Sequence, residues 1–121
     1  MEIRGEVAAA EFGDKRLAGR LVRLAEQLAK APDQSFPKAA GSEAALEATY
    51  RFFGNEAVTP AAILQPHVAA TVARCAAAAT VFVAHDTTEL RFSTEREGVG
   101  RLGEDTTHGF LGHFALAVGA K

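Results

Sequence analysis

What most constrains the fold of this chain is a change of hydrophobic period at residue 80. Before Thr80, apolar residues recur at helical spacing in Ala- and Leu-rich segments. After it come runs of Val and Phe, the residues that fill a pleated sheet. Helices followed by strands make an α+β chain. Its 121 residues suffice for one domain, or for a small domain plus a piece of another. The break divides it into a helical part, residues 1–79, and a β part, residues 80–121.

Composition excludes several classes. An apolar content of 48% with 23% charged residues belongs to a chain that folds. The formal net charge of −2 announces no nucleic-acid partner, so such a partner has to be read from where the cations sit. A single cysteine, Cys75, excludes an internal disulfide and suits a reducing compartment. No basic start with an apolar core opens the chain, and no apolar run is long enough to span a bilayer. The expectation is a soluble, cytoplasmic protein with no membrane partner.

The first helix is expected over residues 14–30, with Asp14 as its N-cap and Leu17, Leu21, Leu24 and Leu28 as one apolar stripe. Pro32 ends it. Ser35 is placed to cap a short turn over 37–40, broken by Gly41. Ser42 then caps a second helix to residue 53, with Leu46, Tyr50 and Phe53 expected on its buried side. Thr59-Pro60 is an N-cap and N1 pair opening a third helical region. Pro66 is expected to end a short helix at residue 65, with a kink or restart to about residue 78. Two antiparallel strands follow, over 80–92 and 110–118. Their apolar surface (Val81, Phe82, Val83, Phe114, Leu116, Val118) has only the third helical region for cover.

The first helix carries a second stripe. Arg16, Arg20, Arg23, Gln27 and Lys30 recur at four, three, four and three, about 110° around the helix from the leucines. Five donors along one edge match a phosphate backbone, although a charged stripe is also the ordinary dress of a solvated face. Asp14 and Glu26 stand outside the stripe, and Gly19 flanks it with room for a DNA strand to approach. Tyr50-Arg51 adds an aromatic–basic pair; equally, Tyr50 belongs to the core and Arg51 pairs with Glu47 four residues back. The turn over 37–40 followed by the second helix has only the outline of a helix-turn-helix.

Gly98-Val99-Gly100-Arg101-Leu102-Gly103 spells a dinucleotide-binding pattern, but it neither directly follows a strand nor opens a helix, so it reads as a flexible connection and no nucleotide cofactor is expected. His67, His85, His108, His113 and Cys75 lack zinc-ligand spacing, and no Ser lies on a tight Gly-flanked turn for hydrolytic chemistry. Asp86 remains. The run Val81-Phe82-Val83-Ala84-His85-Asp86-Thr87-Thr88 delivers a carboxylate from a strand into a polar segment, as metal-dependent phosphoryl-transfer sites do. The same residues also suit an Asx turn ending the strand. A shared metal needs a second acid; Glu89, Glu104 and Asp105 are the candidates.

Taken in order, Glu11-Phe12-Gly13-Asp14-Lys15-Arg16-Leu17, Leu28-Ala29, Tyr50-Arg51-Phe52-Phe53-x-Asn55, Thr59-Pro60-x-x-Ile63-Leu64 and Asp86-Thr87-Thr88-Glu89-Leu90 resemble the amino-terminal part of a bacterial cut-and-paste DDE transposase. The subgroup is the insertion-sequence type whose helical domain binds the transposon end. The resemblance implies a helical DNA-binding domain followed by a ribonuclease H-like core, here one β-hairpin of it. It implies that Asp86 is the first of three carboxylates that hold two divalent metals, usually Mg2+. It also implies that Arg16, Arg20, Lys30, Tyr50 and Arg51 meet double-stranded transposon-end DNA, and the stripe adds Arg23 to that surface. The family's second Asp and its Glu fall beyond residue 121, as does the segment that pairs two transposase molecules. The expectation is therefore a truncated transposase that binds DNA ends in transposition without cutting them by itself. The alternative is a regulatory or remnant module that competes with, or joins, full-length transposase. A free-standing metal-dependent hydrolase would need Glu104 or Asp105 beside Asp86.

Overall fold

A computed structural model describes residues 2–104 and 107–120. It divides into two compact units, one reaching to Ala73 and the other starting at Arg74.

The first unit is helical: α1 (Ile3–Val7), α2 (Lys15–Lys30), α3 (Phe36–Ala40), α4 (Glu43–Phe53) and most of α5 (Pro60–Ala77). The caps are set by local chemistry. Asp14 accepts a hydrogen bond from the Arg16 backbone N–H at 2.9 Å, Ser42 Oγ from Ala45 N–H at 3.1 Å, and Thr59 Oγ1 from Ala62 N–H at 3.1 Å. Ser35 occupies the N-cap of α3 with extended backbone but makes no side-chain cap bond. Gly41 ends α3 at φ 74°, a left-handed conformation open to glycine. The expected break at Pro66 does not occur: α5 runs on through it. Pro66 is buried there, so its packing offsets the one backbone bond that its missing N–H removes.

The leucine stripe of α2 points inward as its spacing requires, with Leu21 and Leu24 buried and Leu17 and Leu28 packed against the same core. Val22, next to Leu21 but off that stripe, is buried as well. Helix α1, which five residues are too few to announce in sequence, packs on α2 and brings Val7 into the same core. Helix α4 corrects the expectation for its buried side. Phe52 is 2% exposed and Thr49 is buried, whereas Tyr50 is 61% exposed and Phe53 46%. The buried arc is thus turned by roughly 100° from the one Leu46, Tyr50 and Phe53 would define. Phe52 is fixed by Phe12, edge to face at 5.8 Å, while Phe53 sits against Phe36 of α3 at 6.2 Å.

The second unit holds β1 (Thr80–Phe92), β2 (Gly100–Arg101) and β3 (His108–Ala120). They form an antiparallel sheet in the order β1-β3-β2, so the expected single hairpin gains a third strand. β3 is also longer at both ends than the expected 110–118. β2 arises inside the expected connection: a side chain at Gly109 would collide with the Leu90 carbonyl and with Leu102, and its absence lets residues 100–102 lie along β3. The β1–β3 register is unbroken from Thr80↔Ala120 to Phe92↔His108. Pairing and alternation therefore put Phe82, Leu90, Phe92, Phe110, Phe114, Leu116 and Val118 on one face with Asp86. Most of these apolar side chains are exposed, Phe82 and Leu116 each at 66%.

Candidate nucleic-acid interface

Helix α2 begins with a two-part contact. Asp14 caps the helix through its backbone, and its carboxylate also takes the Arg16 side chain. The Arg16 Nε bonds both Asp14 oxygens at 3.2 Å, and one terminal nitrogen reaches Oδ2 at 2.9 Å. The Arg16 guanidinium, then the Arg16 backbone N–H, hold the Asp14 carboxyl below its ordinary range, and the same carboxylate raises Arg16. Arg16 is nonetheless 92% exposed along its side chain, so the contact fixes its direction without burying it.

Arg20 follows one turn on. Across from it, Ala44, Ala48 and Arg51 lie on one side of α4, at i, i+4 and i+7. Asp14, Arg16, Leu17 and Arg20 from α2, with Ala44, Ala48, Arg51, Phe52 and Asn55 from α4 and its end, line an open cleft of about 520 Å3. The two alanines keep one wall low. Phe52 and Leu17 connect that wall to the core, so the cleft is built on the rigid part of the unit. Asn55 turns its side-chain oxygen to the Ala57 N–H at 3.0 Å, which leaves its amide NH2 as a donor at the mouth.

The structure thus brings Arg16, Arg20 and Arg51 together and leaves the other expected contacts around them. Arg23 and Lys30 are exposed and continue the α2 stripe past the cleft. Among the described residues no acid pairs with Arg20, Arg23 or Lys30, whereas Glu26 is drawn off to Arg4 at 2.9 Å. Arg51 does meet Glu47, at 3.2 Å between exposed side chains. Tyr50 is exposed on the neighbouring side of α4, which removes the core reading of that residue. The convergence of the two helices was not read from sequence, nor was Asn55 as a cleft residue. The small–small–Arg spacing on α4 was the available signal.

Asp86 lies in the middle of β1 and is exposed. It does not end the strand, so the Asx-turn reading fails. Its neighbour in register is Phe114. His85 and Thr87 project to the opposite face, where Thr87 Oγ1 and His85 Nδ1 lie 2.8 and 3.1 Å from the two nitrogens of His113. Glu89 is on that opposite face too and pairs with Arg91, so it cannot share a metal with Asp86. Glu104 is exposed outside the strands, and Asp105 lies outside the described residues. Among the described residues no group of three or more His, Cys, Asp or Glu side chains is placed to hold a metal ion. Among the described residues Mg2+ would find no group of three such ligands at Asp86, so these residues do not by themselves fit the ion. No helix among the described residues is long and apolar enough to cross a membrane.

Residues 3–58 match the family model of the transposase DNA-binding domain. The matched segment contains α1 to α4 and every residue of the cleft.

Proposed function

We propose that this chain, whose residues 3–58 match the transposase DNA-binding domain, is the amino-terminal part of a transposase and grips duplex transposon-end DNA along the α2–α4 cleft. Arg16, Arg20 and Arg51 meet the duplex in the cleft, Arg23 and Lys30 carry the contact along α2, and Tyr50 flanks it. The observation that carries this reading is the meeting of cations from two helices at one low-walled cleft, inside the segment that matches a DNA-binding domain. Residues 3–58 carry eight acids against eight Lys and Arg, so binding rests on where the cations sit, and screening confines the repulsion from the acids outside the cleft to about 10 Å.

The sheet unit is proposed as the opening strands of a ribonuclease H-like core. In that reading Asp86 is one metal-binding carboxylate of a site whose other acids come from elements outside these 121 residues, and no strand cleavage is expected of this polypeptide alone. A second reading is a non-catalytic module that competes with or joins full-length transposase. It is favoured by the exposed apolar face of the sheet, which suits association with further protein.

The test is a mobility-shift titration on transposon-end and unrelated duplexes. Three to five phosphate contacts predict a log–log salt slope of about −3 to −4.5. Arg16, Arg20 and Arg51 changed together to Ala should abolish the shift with helix content unchanged. Intact binding by that triple variant would reduce the stripe to a solvated face.

A further inference from the structure

Resting on the DNA-binding reading above, we infer that Asp14 is a positioning residue that makes Arg16 a reader of base sequence rather than a counter-charge for phosphate. The basis is how the two side chains divide their bonds. Asp14 occupies the Nε side of the guanidinium: Nε bonds both carboxylate oxygens, and one terminal nitrogen bonds Oδ2. Of the five N–H donors of an arginine, that leaves the outer pair of nitrogens with parallel N–H bonds directed away from the carboxylate. This is the fork that matches two adjacent acceptors, such as O6 and N7 on the major-groove edge of guanine.

Charge separates Arg16 from its neighbours. A carboxylate at 2.9 Å makes the Asp14–Arg16 pair close to neutral as seen by a phosphate, so its Coulomb pull is weak while its direction is fixed. Arg20, Arg23 and Lys30 have no acidic partner among the described residues, and their charge is available to the backbone. A free arginine swings to follow a phosphate; one held by a carboxylate presents its outer fork in a preferred direction. The hold is anchored at the helix start, because the Asp14 oxygen that caps α2 through the Arg16 N–H also binds Arg16 Nε. The guanidinium is thereby tied to the helix start rather than to another mobile side chain. Arg16 lines the same cleft as Arg20, Arg51 and Asn55, so its fork lies beside the cations that would hold a duplex.

The experiment uses the full chain. Preferred sites are selected from a pool of random duplexes, and dissociation constants are measured for a selected duplex and a random one across a salt series. The variants are Asp14→Asn, which keeps a capping oxygen, Arg16→Ala and Arg20→Ala. Asp14→Asn is expected to lower the selected-to-random affinity ratio on the order of tenfold and to erase a guanine preference at one position, with random-duplex binding stronger because the Arg16 charge is released. Arg16→Ala should erase the same preference, and Arg20→Ala should weaken both duplexes alike. In NMR spectra the Arg16 Nε–H signal should be protected in the parent and lost in Asp14→Asn, at equal helix content. An unchanged ratio for Asp14→Asn, or equal losses on both duplexes, would overturn the positioning role while Arg20→Ala still weakened binding. If no sequence is selected and none of the arginine variants alters binding, the DNA-binding reading itself has failed.

Discussion

Replacing Phe52 by Ala tests the core and the cleft together. Phe52 is 2% exposed, meets Phe12 edge to face at 5.8 Å and Phe53 at 5.2 Å, and lines the cleft from below. Truncation of a buried phenylalanine costs about 3–5 kcal/mol, and the two ring contacts place this site toward the upper part of that range. The unit that ends at Ala73 has a total stability of roughly 4–11 kcal/mol at the usual 0.05–0.15 per residue, so the variant should forfeit a third of it or more. In urea, with a slope of about 1–2 kcal/mol/M for so small a unit, the midpoint should fall by at least about 2 M. Far-UV circular dichroism is the probe, since the chain has no tryptophan. Tyr50→Ala is the matched control: at 61% exposure it should change stability by no more than about 0.5 kcal/mol. If Tyr50→Ala were as damaging as Phe52→Ala, the buried arc of α4 would be the one its apolar spacing suggests, and the cleft as described would not exist.

Ser42→Ala removes the bond to Ala45 N–H and should cost about 1 kcal/mol in a denaturant titration, with Ser42→Gly milder. His67→Ala strips a 2.6 Å partner from the Glu6 carboxylate, which is 6% exposed; a loss of about 1–3 kcal/mol is expected, moderated by the partial exposure of His67. The Asp14 carboxyl is held below its reference value of 3.8, so the stability it contributes is full above that pH and is lost as pH falls through the lower folded-state value. An acid titration of helix content should accordingly lose part of its low-pH limb in Asp14→Asn. Leu116→Lys, on the exposed apolar face, should reduce dye binding and self-association in light scattering without shifting the helical transition.

What could be read in the sequence was what neighbours along the chain decide. The caps at Asp14, Ser42 and Thr59, the leucine stripe of α2 and the extent of β1 follow from residues within a turn or two of each other. What escaped depends on distant packing. The face that α4 buries is chosen by Phe12 and α2, not by the density of its own apolar residues. β2 depends on a missing side chain at Gly109 on another strand. The candidate site shows the same division. Arg16, Arg20 and Arg23 were visible as a period on one helix, but their meeting with Arg51 needed two helices packed together. The Arg51–Glu47 pair was legible at its four-residue spacing, whereas the capture of Arg16 by the cap of its own helix was hidden by the expectation that Asp14 had only one task.

The unbroken β1–β3 register turns the location of Asp86 into a question of parity. Thirteen consecutive pairs contain no bulge, so nothing in the ladder absorbs an added residue. One residue inserted between Thr80 and His85 would, with the early pairs kept, send Asp86 to the side now held by His85 and Thr87 and bring a histidine opposite Phe114. Two residues inserted would return the acid to its own side, one rung pair further along. The strand can therefore tolerate many substitutions and even paired insertions, but an odd change in length exchanges a carboxylate for an imidazole on both faces at once.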